Sequence, residues 1–193
     1  MKIKLIIGLI FLSLTSSIIF FGCSRDVPAN LQISAYPNEV GKIFLSKCAV
    51  SGCHNDISKN AAGGLSLTSW SKLFEGGSSG AVVIPYSLDF SQLLYYINTY
   101  SDLGQTLTPT MPVGDKPLTR DEVVLIRNWV MQGAPDRNGY VAFSENPYRK
   151  KIYVVQQGCD AVAVIDAKTK LVMRYVKVGN SSQIESPHMI RVS

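Results

Sequence analysis

Cys48 and Cys53 are separated by four residues, and His54 follows the second cysteine directly. No other feature restricts so sharply what this chain can fold around. Two nearby thiols and an adjacent imidazole are the residue types that covalent attachment of a c-type haem needs. The sulfurs add across the two vinyl groups on one edge of the porphyrin, and the imidazole is then held under the iron, for which it is a good ligand. The common spacing leaves two residues between the cysteines; here the gap is wider. Residues five apart on a continuous helix do not share a face. The segment must therefore bulge to bring both sulfurs to one edge, and Ser51-Gly52 provides backbone freedom for it. Two other chemistries also fit. A Cys48–Cys53 disulfide is the ordinary outcome for close cysteines in an exported chain. A closed zinc site wants four ligands. The whole chain has four cysteines and two histidines, and one cysteine is spoken for at the N-terminus.

Met1-Lys2-Ile3-Lys4 is basic, Leu5 to Phe21 is almost wholly apolar, and Gly22-Cys23 follows. This is the layout of a signal peptide over residues 1–22; a membrane-spanning anchor is the alternative, because the run is near the lower length limit for crossing a bilayer. Phe20-Phe21-Gly22-Cys23 resembles a bacterial lipoprotein cleavage box, with an atypical Phe20 three residues before the cysteine. The resemblance implies that Cys23 becomes the lipidated first residue. Ser24 after it implies a protein exported and lipid-anchored in the cell envelope, at the outer membrane or the periplasmic face. Loss of Lys2 and Lys4 lowers the formal charge of +5 by two. The remaining basic bias is weak and has no cluster interleaved with aromatics, so nucleic acid is not a supported partner. The membrane is a partner only through the N-terminal lipid.

Residues 23–37, with two prolines and little periodicity, read as a flexible tether. A domain over 38–136 follows. Asn38 is placed to cap a helix running from about Glu39 into Cys48, with Val40, Ile43 and Phe44 on one face. Gly63-Gly64-Leu65-Ser66-Leu67 leads to a short helix over about Trp70 to Glu75, stopped by Gly76-Gly77. Ser87 or Asp89 starts the next helix, with Leu93, Leu94, Ile97 and Tyr100 on its buried side. Tyr95 and Tyr96 read as packing residues, with reach to a porphyrin carboxylate as the alternative. Thr119-Arg120-Asp121-Glu122 is a capping box. Val123, Val124, Ile126, Trp129 and Val130 make the buried stripe behind it, and Gly133 and Pro135 end that helix.

The order Cys-x4-Cys-His, Gly64-Leu65-Ser66-Leu67, Val83-Ile84-Pro85, Ser91-x-Leu93-x-Tyr95 and Met111-Pro112 resembles the planctomycete-type cytochrome c domain, a family also common in Bacteroidetes. The similarity covers about Glu39 to Pro135. It implies a small helical haem domain whose first helix packs on its last. It also implies that Met111, held in the rigid Thr108-Pro109-Thr110-Met111-Pro112 loop, completes the coordination of the iron opposite His54. The implied cofactor is haem c with its iron, attached covalently through Cys48 and Cys53. His/Met ligation raises the reduction potential relative to other axial pairs. The alternative for Met111 is an apolar loop residue. Met131 lies inside the predicted last helix, and Met173 and Met189 fall in a different segment.

Residues 137–147 form a polar, turn-rich linker, and the pattern then changes period. Ile152 to Gln156, Ala161 to Asp166 and Leu171 to Val178 read as strands. The text from Lys151 to Val155, Val162 to Asp166, Val176 to Gly179 and Ser186-Pro187-His188 resembles the YVTN-type β-propeller repeat, and covers about one blade over residues 148–193. His188 reads as structural. Cys159 sits in a turn and is the leftover thiol, reactive if unpaired. The expected fold class is therefore mainly α, a cytochrome c-like helical domain, followed by a short all-β segment forming one incomplete propeller blade. The expected function is single-electron transfer between redox donor and acceptor proteins that the sequence does not name. The chain shows no nucleophile–base pair or carboxylate dyad, so an enzyme is not expected. The alternative is a non-redox surface lipoprotein with a Cys48–Cys53 disulfide and a partner-binding β-propeller segment.

Overall fold

The computed structural model describes residues 33–191. The expected leader, Cys23 and residues 24–32 of the expected tether lie outside the described residues.

Four α-helices lie wholly within the described residues ahead of the strands: α1 (Asn38–Ile43), α2 (Trp70–Leu73), α3 (Gln92–Ile97) and α4 (Arg120–Met131). Three strands follow: β1 (Lys151–Gln156), β2 (Ala161–Asp166) and β3 (Val172–Lys177). Helix accounts for only 28% and strand for 14% of the described residues, which corrects the expectation of a mainly α protein. The reason is local. Glycines at positive φ, such as Gly76 and Gly133, break the chain into short pieces, and most of residues 49–119 is ordered loop. The three stretches expected to be strands form one antiparallel meander in the order β1-β2-β3; a complete propeller blade has four strands, and three alone do not make this sheet one.

α4 is the longest element because its start is fully specified. The Thr119 hydroxyl accepts from the Glu122 N–H, and the Glu122 carboxylate accepts from the Thr119 N–H, so two helix-end donors are satisfied reciprocally. Val123, Ile126, Trp129 and Val130 are buried on one face. α1 and α3 both pack on α4. Phe44, continuing from α1, meets Tyr36 edge-on at 5.1 Å and Trp129 at 5.9 Å between ring centroids. Full burial of each such side chain contributes roughly 1.5–3 kcal/mol, and an edge-to-face pair adds about 0.5–1.5 kcal/mol.

Two stretches expected to be loose are packed. Tyr36, in the expected tether, is fully buried, and its hydroxyl donates to the Ser69 carbonyl. In the segment 137–147, Tyr140 packs on Trp70 and Phe143 on Phe74. The Trp70 indole N–H donates to the Ala134 carbonyl at 2.8 Å, in the interior.

The sheet is seated on this helical unit. Tyr175 of β3 stacks on Phe90, just before α3, with centroids 3.9 Å apart. At the edge of the sheet Asp166 is buried, bonded by Arg149 at 2.9 Å and by the Thr169 hydroxyl. Burial acts against ionisation of Asp166, but the donors from Lys168, Thr169 and Arg149 outweigh it and hold its pKa below the usual aspartate range.

Candidate functional site

The predicted bulge exists, and it begins before the cysteines are passed. After Ile43 the α-helix widens into a π turn over Phe44–Cys48, closed by the Ala49 N–H donating to the Phe44 carbonyl at 2.8 Å. Such single π turns occur often at functional sites. Gly52, at φ +81°, then reverses the chain, a backbone conformation that glycine adopts without strain. The His54 N–H reaches back to the Cys48 carbonyl at 3.0 Å. The wide gap between the cysteines is thus taken up by the turn at Gly52, which follows the π turn that ends at Cys48. Both thiols are free of any disulfide.

Cys48, Cys53, His54 and Met111 all line one cavity of about 490 Å³, within the range of cofactor pockets. Its walls include Phe44 from the π turn, Leu65 and Leu67 from the glycine-rich loop, and Leu93 and Ile97 from α3. Cys48 and Met111 stand 63 positions apart in the chain, and the fold brings both to the same space. The His54 Nδ1 lies 3.3 Å from the Leu65 carbonyl oxygen. A carbonyl only accepts, so Nδ1 is the donor, the kind of bond that orients a metal-ligating histidine. The loop behind it is pinned by the Leu67 N–H donating to the His54 carbonyl at 2.8 Å. On the other side, the Met111 N–H donates to the Tyr96 carbonyl at 2.8 Å, tying the proline-flanked loop to α3.

The electrostatics of the site are sparse. Burial pushes the Cys48 thiol up to about 12; Lys47 works against that rise, and Cys53 and Glu122 add to it. Lys47 is paired with Glu122 of α4, its Nζ 2.7 Å and 2.8 Å from the two carboxylate oxygens. The remaining sequence candidates lie elsewhere. Cys159 is exposed on the turn between β1 and β2. The His188 Nδ1 accepts from the Gln157 side-chain amide at 2.7 Å, on the surface. Tyr95 points away, donating to the Asp89 carbonyl, whereas Tyr96 lines the cavity. No group of three or more His, Cys, Asp or Glu able to hold a metal ion occurs among the described residues.

Residues missed by sequence reading are Leu65, whose carbonyl orients His54, and the Lys47–Glu122 pair. Leu65 sits in a motif already singled out, but nothing in the text marks its carbonyl. Glu122 was legible as a capping residue, not as a partner 75 positions from Lys47.

Residues 51–112 match the family described as Planctomycete cytochrome C. That stretch is cytochrome c-like. It contains Cys53, His54 and Met111 and begins after Cys48; the sheet lies outside it. No curated protein and no solved structure matches the chain.

Proposed function

We propose that this chain is a c-type cytochrome that carries single electrons. The observation that carries the reading is the convergence of Cys48, Cys53, His54 and Met111 on one largely apolar cavity, the last three of them within the cytochrome c-like stretch. The donor set fits the group: two thiols for covalent attachment, an imidazole and a thioether, all lining the same cavity. When bound, haem c supplies reversible one-electron chemistry at iron.

The chain's own residues would do the rest. Cys48 and Cys53 would hold the porphyrin covalently, His54 and Met111 would hold the iron, and Phe44, Leu65, Leu93 and Ile97 would keep water from the cavity. A thioether together with an imidazole would favour the reduced state and raise the potential. Lys47, drawn to Glu122, ties the attachment segment to α4 and holds the proximal wall in place. The donor and acceptor are redox proteins. Attachment to the cell envelope through lipid on Cys23 is part of the same proposal and rests on the N-terminal sequence alone. The alternative, a disulfide-bonded non-redox module, is disfavoured by a polar ring nitrogen and a sulfur facing the same cavity as the two thiols.

The test is a reduced-minus-oxidised absorption spectrum of protein exported from a host that attaches haem c. Sharp low-spin bands in the reduced state are expected. A featureless spectrum from folded, exported protein contradicts the proposal.

A further inference from the structure

The cavity is short of positive charge. Among the described residues that line it, Lys47 is the only lysine or arginine, and Lys47 is held by Glu122 at 2.7 Å. It also adjoins Cys48, on the side where the thioethers form. A porphyrin of the haem c type brings two carboxylates on the edge opposite its two attachment points. Carboxylates without a cationic partner are costly to bury, so they must reach water or hydrogen-bond donors.

The lining offers a place for both. Cys48 is only 7% exposed, so the attached edge starts in the interior. Ser79 and Gln92 line the same cavity and are exposed to solvent, and Tyr96 lines it half-buried. Tyr96 stands one turn along α3 from Gln92, which puts the two side chains on one helix face. The Ser79 hydroxyl, the Gln92 amide and the Tyr96 hydroxyl have no hydrogen-bond partner among the described residues, although Tyr95, next in the chain, has one. Three unengaged neutral donors at the mouth of an otherwise apolar cavity are the complement of an anionic edge.

Resting on the haem reading above, we propose that the porphyrin carboxylates lie at the water-facing rim of the cavity, hydrogen-bonded by Ser79, Gln92 and Tyr96 and neutralised by no cation. Two consequences follow. The uncompensated negative charge favours the oxidised iron, so it opposes the upward pull of the Met111 sulfur on the potential. A cation introduced at this rim should therefore raise the potential more than one introduced elsewhere on the surface.

The experiment uses the full chain with haem attached, at low ionic strength, where surface charge is least screened. Midpoint potentials are measured for the wild type, Gln92→Lys, Ser79→Lys and the control Ile57→Lys, a position 96% exposed that does not line the cavity. Resonance Raman spectra are recorded for Gln92→Leu and Tyr96→Phe. The expected result is an upward shift for Gln92→Lys and Ser79→Lys that exceeds the Ile57→Lys shift, with displaced carboxylate bending bands in Gln92→Leu and Tyr96→Phe and unchanged His/Met absorption. Equal shifts at all three lysine positions, together with unmoved bending bands, overturn the proposal while leaving the cytochrome reading intact. A wild-type chain that binds no haem overturns both.

Discussion

Glu122 connects the start of α4 to the haem-attachment segment, and removing it separates two contributions. In Glu122→Ala the Thr119 N–H loses its carboxylate acceptor and Lys47 loses its ion-pair partner. A capping interaction is worth about 1 kcal/mol. The Lys47–Glu122 pair is between a fifth and a third exposed on each side, and a pair of that kind contributes about 0.2–1 kcal/mol. Glu122→Ala should therefore cost about 1–2 kcal/mol at pH 7, whereas Glu122→Gln, which keeps the capping geometry, should cost only the smaller part. Urea unfolding of both variants measures this through the midpoint at constant slope. The pH dependence has a definite sign. Burial raises the Glu122 pKa, but the bonds from Lys47 and Thr119 outweigh it and leave the carboxyl below its ordinary 4.5. The group's contribution is thus fully present above that value and disappears as the pH falls through the lowered folded value. The difference between wild type and Glu122→Gln should close in acid. Glu122→Ala as stable as wild type at neutral pH, or a Glu122→Gln difference that persists unchanged in acid, would refute this account.

His54→Ala should abolish the low-spin spectrum, because His188, the other histidine, lies on the surface beside Gln157; a normal spectrum in that variant would place the ligand elsewhere. Met111→Ala should keep haem attached, open the iron to water or an added ligand, lower the potential and remove the weak near-infrared band of sulfur bound to ferric iron; an unchanged band and potential would reduce Met111 to loop packing. Trp70→Phe removes the buried indole bond to the Ala134 carbonyl and should cost about 1–3 kcal/mol, read from urea unfolding; a neutral effect would mean that the carbonyl is solvated without it.

What the sequence revealed and what it hid divide along one physical line. The capping box at Thr119, the glycine stop at Gly133 and the strand stretches ending at Gln156 and Asp166 are written in consecutive residues, so local chemistry is enough to find them. The expected helix through Cys48 was half right. Hydrophobic spacing sees the buried face of Val40, Ile43 and Phe44 but does not register that the last turn opens into a π turn, because the two differ only in whether an N–H bonds the carbonyl four or five residues back. Tyr36 and residues 137–147 were read as loose from prolines and polar composition. They are fixed by aromatic contacts with partners far along the chain, such as Tyr140 with Trp70, which composition does not encode. The expectation of a mainly helical protein failed for a related reason. The resemblance drew attention to helices, while most of the cavity wall is loop held by single bonds such as Leu67 to His54. Within the candidate site the thiols, the imidazole and the thioether were legible because their chemistry is rare and their order is informative. The neutral donors at the rim were not, since serine, glutamine and tyrosine become distinctive only when the fold leaves them unpartnered beside a cavity.

The central claim is covalent haem on Cys48 and Cys53 under His54. Its most direct test is a haem stain on a denaturing, reducing gel of the exported wild type beside a Cys48→Ala/Cys53→Ala double variant. The account predicts a stained wild-type band at the mass of the chain and none for the double variant. An unstained wild-type band, from protein shown to be exported by a host that attaches haem c to a known cytochrome, would contradict it.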